Sequence, residues 1–317
     1  MAHMLRLLSL FLITVVGLMG VSFGESNPLD NELTIEELSD RLVIRLGEEE
    51  LLHYVFDDSS IRRPYFAHVK TVQGNQVTRN HPPIKGIDST DHTTMHPGIW
   101  MAFGDLSGED FWRNQGSVDH VRFMDKPKVG ASKAVFTEEK CYTTSDGSEI
   151  CKEIFRWKLE VLKNGLLMSW ESTFKSDRNF FFGDQEEMGL GVRVATPMSE
   201  KSGGGLVDSE GRSGAKTIWS NSASWCDYRG EKNDRSVGIT IFCHPNNFRP
   251  SWMHARNYGL VVANPFGRKA MGKGKKSQWV VQANESFVLR YGVWIHDTVI
   301  GEEIDIDPTY QKYIQSN

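Results

Sequence analysis

FRWKLEVLKNGLLMSWEST, from Phe155 to Thr173, is the stretch whose reading decides the fold. Phe155–Leu162 and Leu166–Thr173 are rich in aromatic, β-branched and other apolar residues, as half-buried strands are. Between them stands Asn164-Gly165, a dipeptide whose two residues accept positive φ and which is the strongest short hairpin signal. The stretch therefore predicts two antiparallel strands joined by a tight turn.

The same pattern recurs outward in both directions. Strands are expected at Arg41–Leu46, at Leu51–Phe56 after a turn at Gly47-Glu48-Glu49, and at Gly189–Ala195, Val237–Cys243, Tyr258–Ala263, Ser277–Gln282 and Ser286–Ile295. Helical signals are sparse: a short helix is allowed at Thr34–Ser39, and Pro308–Gln315 is the one convincing segment. The Ser- and Gly-rich stretch Met198–Lys216 reads as a mobile loop, and Gly211-Arg-Ser-Gly-Ala-Lys-Thr has neither P-loop nor nucleophile-elbow spacing. Many strands without intervening helices predict an all-β chain, a large antiparallel β-sandwich with few short helices.

The first residues, MAHMLR, are positively charged; an uncharged apolar run from Leu7 to Phe23 follows and ends at Ser22-Phe23-Gly24. This order predicts a signal peptide at residues 1–24 and a periplasmic or secreted product, with a retained membrane anchor as the alternative. No later run approaches membrane length and no divider interrupts 25–317, so those residues are expected to form one domain with no stable membrane span after cleavage. The formal charge of −5 gives no electrostatic case for nucleic acid. The short basic stretch Arg268–Lys276 reads as a solvated loop or as a contact for an acidic glycan. Cys141 and Cys151 flank Thr-Thr-Ser-Asp-Gly-Ser; a three-residue loop at Ser145–Gly147 would put them opposite each other, predicting a disulfide. Cys226 with Cys243 is a weaker second pair.

Chemistry-bearing residues gather in two stretches. Arg79–Asn114 holds Asp91-His92-Thr-Thr-Met-His96-Pro-Gly-Ile-Trp100, and Trp112 after it. His92 and His96 are four apart, which would let them share a divalent metal on a helix; Thr93, Thr94 and Pro97-Gly98 oppose a helix, so no cofactor is assigned and the histidines are equally candidates for proton transfer or for ordinary loop hydrogen bonds. His244–Phe266 holds His244, Arg249, Trp252, His254, Arg256, Tyr258 and Asn264, the mix of flat rings and planar forks that suits sugar rings and their hydroxyls or carboxylates. Arg63 and Tyr65 form a smaller patch, and Gly183–Glu187 reads as an acidic turn that could also serve as a general base. The two large stretches, about 150 residues apart, are expected to meet at one cleft.

Arg63-Pro64-Tyr65, Asp91-His92 with His96 and Trp100, Gly104-Asp105 to Phe111-Trp112, Trp225-x-Asp227-Tyr228, His244-Pro245, and Tyr258-Gly259 to Asn264-Pro265-Phe266-Gly267 together resemble the PmoA-like family of exported bacterial proteins, commonly labelled "methane oxygenase PmoA". A membrane monooxygenase subunit needs several spans, which this chain lacks. That family's first motif usually runs Asp-His-Pro-His-His, whereas here Thr93-Thr94-Met95 separates His92 from His96. Members look like companions of sugar-degrading enzymes, which implies a carbohydrate or sugar-derived ligand. A Pro-Tyr segment, a loop His before Gly and a downstream Trp also resemble the galactose-mutarotase-like supersandwich. The resulting expectation is a carbohydrate-active enzyme, a hydrolase, lyase or epimerase. His92, His96 and His254 would transfer protons. Arg63, Tyr65, Trp100, Trp112, His244, Arg249, Trp252, Arg256, Tyr258 and Asn264 would bind substrate. The alternative is a non-catalytic glycan-binding protein.

Overall fold

The central hairpin is present in the computed structural model, which describes residues 31–316. Its strands are long and pair in unbroken register from Gly165↔Leu162 to Lys175↔Lys152. The two-residue turn is Lys163-Asn164, one position earlier than expected, and Gly165 opens the second strand. A Cβ at Gly165 would lie 2.2 Å from the Ile295 carbonyl oxygen of the next strand. Close backbone approach, together with a φ of +150°, explains the glycine.

In chain order the strands are β1 Leu33–Glu37, β2 Arg41–Leu46, β3 Glu49–Val55, β4 Tyr65–Ala67, β5 Ile99–Phe103, β6 Ser117–Phe123, β7 Lys128–Val129, β8 Lys133–Thr143, β9 Glu149–Leu162 and β10 Gly165–Lys175. Then come β11 Phe180–Phe182, β12 Met188–Arg193, β13 Gly205–Asp208, β14 Trp225–Lys232, β15 Arg235–Cys243, β16 Trp252–Arg256, β17 Leu260–Asn264, β18 Trp279–Val281 and β19 Ser286–Val299, with helices α1 Ala215–Ile218 and α2 Asp307–Gln315. One sheet has the order β1-β2-β3-β4-β5-β12-β17-β16; the other runs β13-β14-β15-β19-β10-β9-β8-β6, with β7 beside β8; β11 and β18 form a small third ladder. Every strand pairing is antiparallel, so the all-β sandwich expectation is met.

The two large sheets face each other across an aromatic core: Tyr54 of β3 lies 4.8 Å from Phe136 of β8, and Phe66 of β4 stacks at 5.4 Å on Trp157 of β9. Buried charges inside this core are paired, as desolvation requires: Lys140 with Glu153 at 3.0 Å, Tyr142 donating to Glu153 at 2.8 Å, and Glu138 held by Tyr54 and His120.

Several expectations need correction. All four cysteines are free thiols. A β-bulge between Tyr142 and Thr143 shifts the register, so Thr143 faces Glu149 but Tyr142 faces Cys151 and Cys141 faces Lys152. One extra residue in the ladder moves side chains to the opposite sheet face: Cys151 is buried, while the Cys141 sulfur lies half-exposed 3.3 Å from Glu149. Cys226 pairs in register with Ile241, not with Cys243. Thr34–Ser39 is not helical, because pairing with β2 makes Leu33–Glu37 strand β1. Met198–Lys216 holds two 3-10 turns, β13 and the start of α1, with Met198, Leu206 and Ala215 in the core. His244–Phe266 is irregular only in its first part and then forms the β16–β17 hairpin. The expected signal peptide lies outside the described residues. Among the described residues no helix is long and apolar enough to cross a membrane.

Candidate functional site

Cross-strand neighbours point to the same face of a sheet. On the face of the first sheet turned away from the core, the register places Tyr65, Trp100, Gly191, Val262 and His254 in one row across β4, β5, β12, β17 and β16. Two residues further along, Arg193, Leu260 and Arg256 form the next row; Asn264 and Trp252 lie in the row on the other side. Gly191 leaves the space in which Trp100 and Trp112 sit: a Cβ there would meet Trp100 at 2.8 Å and Trp112 at 3.2 Å.

The loop at 88–96 stands on this floor. His96 stacks on Trp100 at 5.2 Å, His92 on His96 at 4.6 Å, and Tyr258, from the β16–β17 turn, on His92 at 5.7 Å. The two rich stretches therefore meet, as expected. The loop is held by buried arginines. Arg79 donates to the carbonyls of Ser89, Asp91, His92 and His96. Arg63 donates to those of Met95, Phe111 and Trp112. Arg193 forks onto both Asp91 oxygens at 2.7 and 2.8 Å and lies 4.5 Å over the Tyr258 ring. Burial, then the charges of His92 and the three arginines, press the His96 imidazole down to about 2; its Nδ1 is buried without a partner.

Beyond Val262, His254 is also buried, and burial followed by Arg256 lowers it to about 3. Its Nδ1 lies 3.4 Å from Glu186, out of line for a hydrogen bond, while Arg256 donates to the same carboxylate at 2.8 Å. Asn264 sets Glu186: its amide donates to the carbonyls of Gln185 and Glu186, and its oxygen accepts from Phe266 and Gly267. Trp100 and His254 are three strand spacings apart, about 14 Å, so a ligand touching both histidine groups is longer than one sugar ring.

The expected site residues divide accordingly. His92, Arg256 and Tyr258 line the face, and His96 and His254 lie buried just under them. Trp100, Trp112 and Arg63 lie beneath it, fully buried, as supports. Asn264 positions the Glu186 segment, and Tyr65 donates to Asp58 at 2.6 Å near one end of the row. Trp252 and Arg249 sit together at the far end, 5.9 Å apart. His244 stands apart, against Tyr313 near the C-terminal helix. Sequence reasoning missed Arg79, Arg193 and Trp219, which lies 5.8 Å below Arg256, and read the Glu186 segment as an acidic turn that could also serve as a general base. The alternation Gly189-Leu-Gly191-Val-Arg193 carried a signal, since glycines on one face of a strand mark a close approach.

Asp91, His92 and His96 bring ligand atoms within 4.8 Å of one another. They fit a metal ion poorly. The Asp91 carboxylate is already taken by Arg193, Ser89 and His92, and Arg79 lies 3.8 Å away. A cation would enter ground that is already positive.

A family profile described as "Family of unknown function (DUF6807)" matches residues 41–306, most of the chain. The chain belongs to the DUF6807 family. That match spans the whole face just described and names no PmoA-like family, so the latter likeness rests on the motifs alone. No curated protein matches the sequence. Among solved structures, a galactose mutarotase-like protein from Clostridium acetobutylicum is similar at 12% identity and TM-score 0.44, covering 86% of this DUF6807 chain and 100% of its own. One from Lactobacillus casei ATCC 334 is similar at 12% identity and TM-score 0.38, covering 83% and 100%. A heparan sulfate lyase mutant from Pedobacter heparinus is similar at 10% identity and TM-score 0.42, covering 85% and 37%. These likenesses are too distant to speak to chemistry.

Proposed function

We propose that this is an exported, carbohydrate-active enzyme, acting on a sugar or glycan as a hydrolase, lyase or epimerase. The observation that carries the reading is the pairing on one sheet face of a neutral, buried imidazole with a solvent-reachable carboxylate, His254 beside Glu186. Proton transfer at a sugar carbon or oxygen needs such a pair within reach of one ring. Around it, Tyr258, Trp219 and Trp252 are half-exposed rings suited to sugar faces, and Arg256 offers a planar fork for hydroxyls or a carboxylate. His92 and His96 supply a second polar position toward the other end of a longer ligand.

A second reading, a glycan-binding protein without turnover, is favoured by the lowered His254, which at neutral pH in the free protein is an imidazole and not the imidazolium a general acid would use. A screen of purified protein on glycans and 3-keto-glycosides, with metal analysis of the same sample, gives the substrate for the test. In the enzyme, His254→Ala and Glu186→Gln each lower turnover at least about 100-fold with affinity nearly kept. Loss of affinity with no turnover in the parent protein establishes the binder instead. Export rests on residues 1–24; N-terminal sequencing of exported material should begin near Glu25, and an intact Met1 refutes cleavage.

A further inference from the structure

We propose that the ligand is an acidic glycan, one carrying uronate carboxylates or sulfate groups, and that the exposed loop at 268–276 grips it beside the site. This rests on the carbohydrate reading above and adds the charge of the sugar.

The first observation is in the chain itself. From Arg235 to Asn284 there are fifty residues with no Asp or Glu and eight Lys or Arg, in a protein whose formal charge is −5. Such segregation creates a local positive field that the net charge hides. Five of the eight, Arg268, Lys269, Lys273, Lys275 and Lys276, are exposed on the loop, and none has an ion-pair partner among the described residues.

The second observation is that the loop is built and anchored at the site. The Asp184 carboxylate accepts the backbone N–H groups of Lys269, Ala270 and Ser277 at 2.7 to 3.0 Å. Asp184 stands two residues before Glu186. From the other side, the Ser220 hydroxyl donates to the Met271 carbonyl, and Lys273 reaches Asn221 at 3.4 Å. Ser220 and Asn221 are hydrogen-bonded to the backbone of Met253, the residue before His254. The cationic loop is thus tied to the chain beside both His254 and Glu186.

The third observation lies inside the site. Arg193 and Arg79 crowd His96, Arg256 crowds His254, and the unpartnered His96 Nδ1 is buried among them. An anionic group bound there offsets the arginine share of the lowering at both imidazoles, while the larger share, from burial, remains.

The test titrates the protein with polygalacturonate, heparin, neutral dextran and duplex DNA. It is done at low salt and at about 0.5 M salt, where charge attraction is screened. The variant carrying Lys269→Gln, Lys273→Gln, Lys275→Gln and Lys276→Gln is measured alongside, with its melting temperature as the folding check. Polygalacturonate or heparin should bind well ahead of dextran, the preferred one telling carboxylate from sulfate. That binding should weaken about tenfold or more both in salt and in the variant. Dextran binding as tightly, insensitive to salt and to the variant, overturns the proposal and leaves the carbohydrate reading intact. Duplex DNA binding as tightly as the acidic glycans overturns it in favour of a general polyanion surface. Binding of no glycan at all overturns both readings.

Discussion

At the scale of single residues, the arginines decide the site more than the histidines do. Arg79 is fully buried and its guanidinium closes the 88–96 loop by donating to four carbonyls. A lysine presents a point charge on a flexible stem and cannot reach all four, so the exchange is not conservative. Arg79→Lys should destabilise the protein by about 2–4 kcal/mol, read from urea unfolding, and should speed amide hydrogen exchange through 89–96. Unchanged exchange in that loop would show that Trp100 stacking alone holds it. Arg79 and Arg193 were not legible as structural groups beforehand, because a buried cation and a solvated one look alike in a sequence; only the folded loop supplies the carbonyls that distinguish them. His92, His96 and Tyr258 could be singled out as candidates for one face, since imidazole and aromatic groups are concentrated in those two stretches, and the three rings do stack. The placement of Glu186 was hidden because its neighbours, His254 and Arg256, come from a strand some seventy residues later.

At the scale of elements, legibility followed strand length. β9, β10 and β19 each run eleven residues or more and are rich in aromatic, β-branched and other apolar residues, and their existence could be read directly. β4 and β11 have three residues each and are strands only because a neighbour pairs with them, a tertiary fact. The disulfide failed for a similar reason: the turn was read correctly, but the bulge after it is set by packing of Tyr142 and Cys151 into the core, not by the loop. Mass spectrometry of alkylated, non-reduced protein should accordingly find Cys141 and Cys151 as thiols; a linked peptide pair would mean that the bulge is absent. β12 makes a sharper test. Gly191 has ordinary strand geometry, so Ala costs nothing in backbone conformation, and its only effect is a methyl pressed against Trp100 and Trp112. Overpacking of this kind costs about 1–3 kcal/mol. Gly191→Ala should lower the melting temperature and shift tryptophan fluorescence, because the floor under His96 must move. An unaltered spectrum and melting temperature would show that the two rings have room to spare.

For the whole molecule, the burial of titratable rings sets how stability responds to acid. In the folded protein His96 sits at about 2, His254 at about 3 and His81 at about 4, in each case through burial first. In the unfolded chain each returns to about 6.5. Below that value the unfolded state binds protons that the folded state refuses, so stability rises with pH across the window from about 4 to 6.5 and is lost as pH falls through it. Each ring contributes a slope of at most about 1.4 kcal/mol per pH unit, and three together are large beside a typical total of about 5–15 kcal/mol. The urea midpoint should hold steady from pH 8 to 7 and then fall steeply toward pH 4.5. The double variant His96→Gln, His254→Gln should flatten that fall, since two of the three protons are removed from the balance. Asp91 cannot account for it: Arg193 and its other partners hold that carboxylate far below the usual range, and its contribution is lost only below its ordinary unfolded value near 4. A midpoint that stays level from pH 7 to 5 would mean that the folded histidines protonate normally and that water reaches His96 and His254. An acidic glycan supplies the complementary test. By offsetting the arginine charges beside the bound rings it should lessen the acid sensitivity of the complex in part, whereas a neutral glycan, lacking the charge, should leave the slope of the free protein in place.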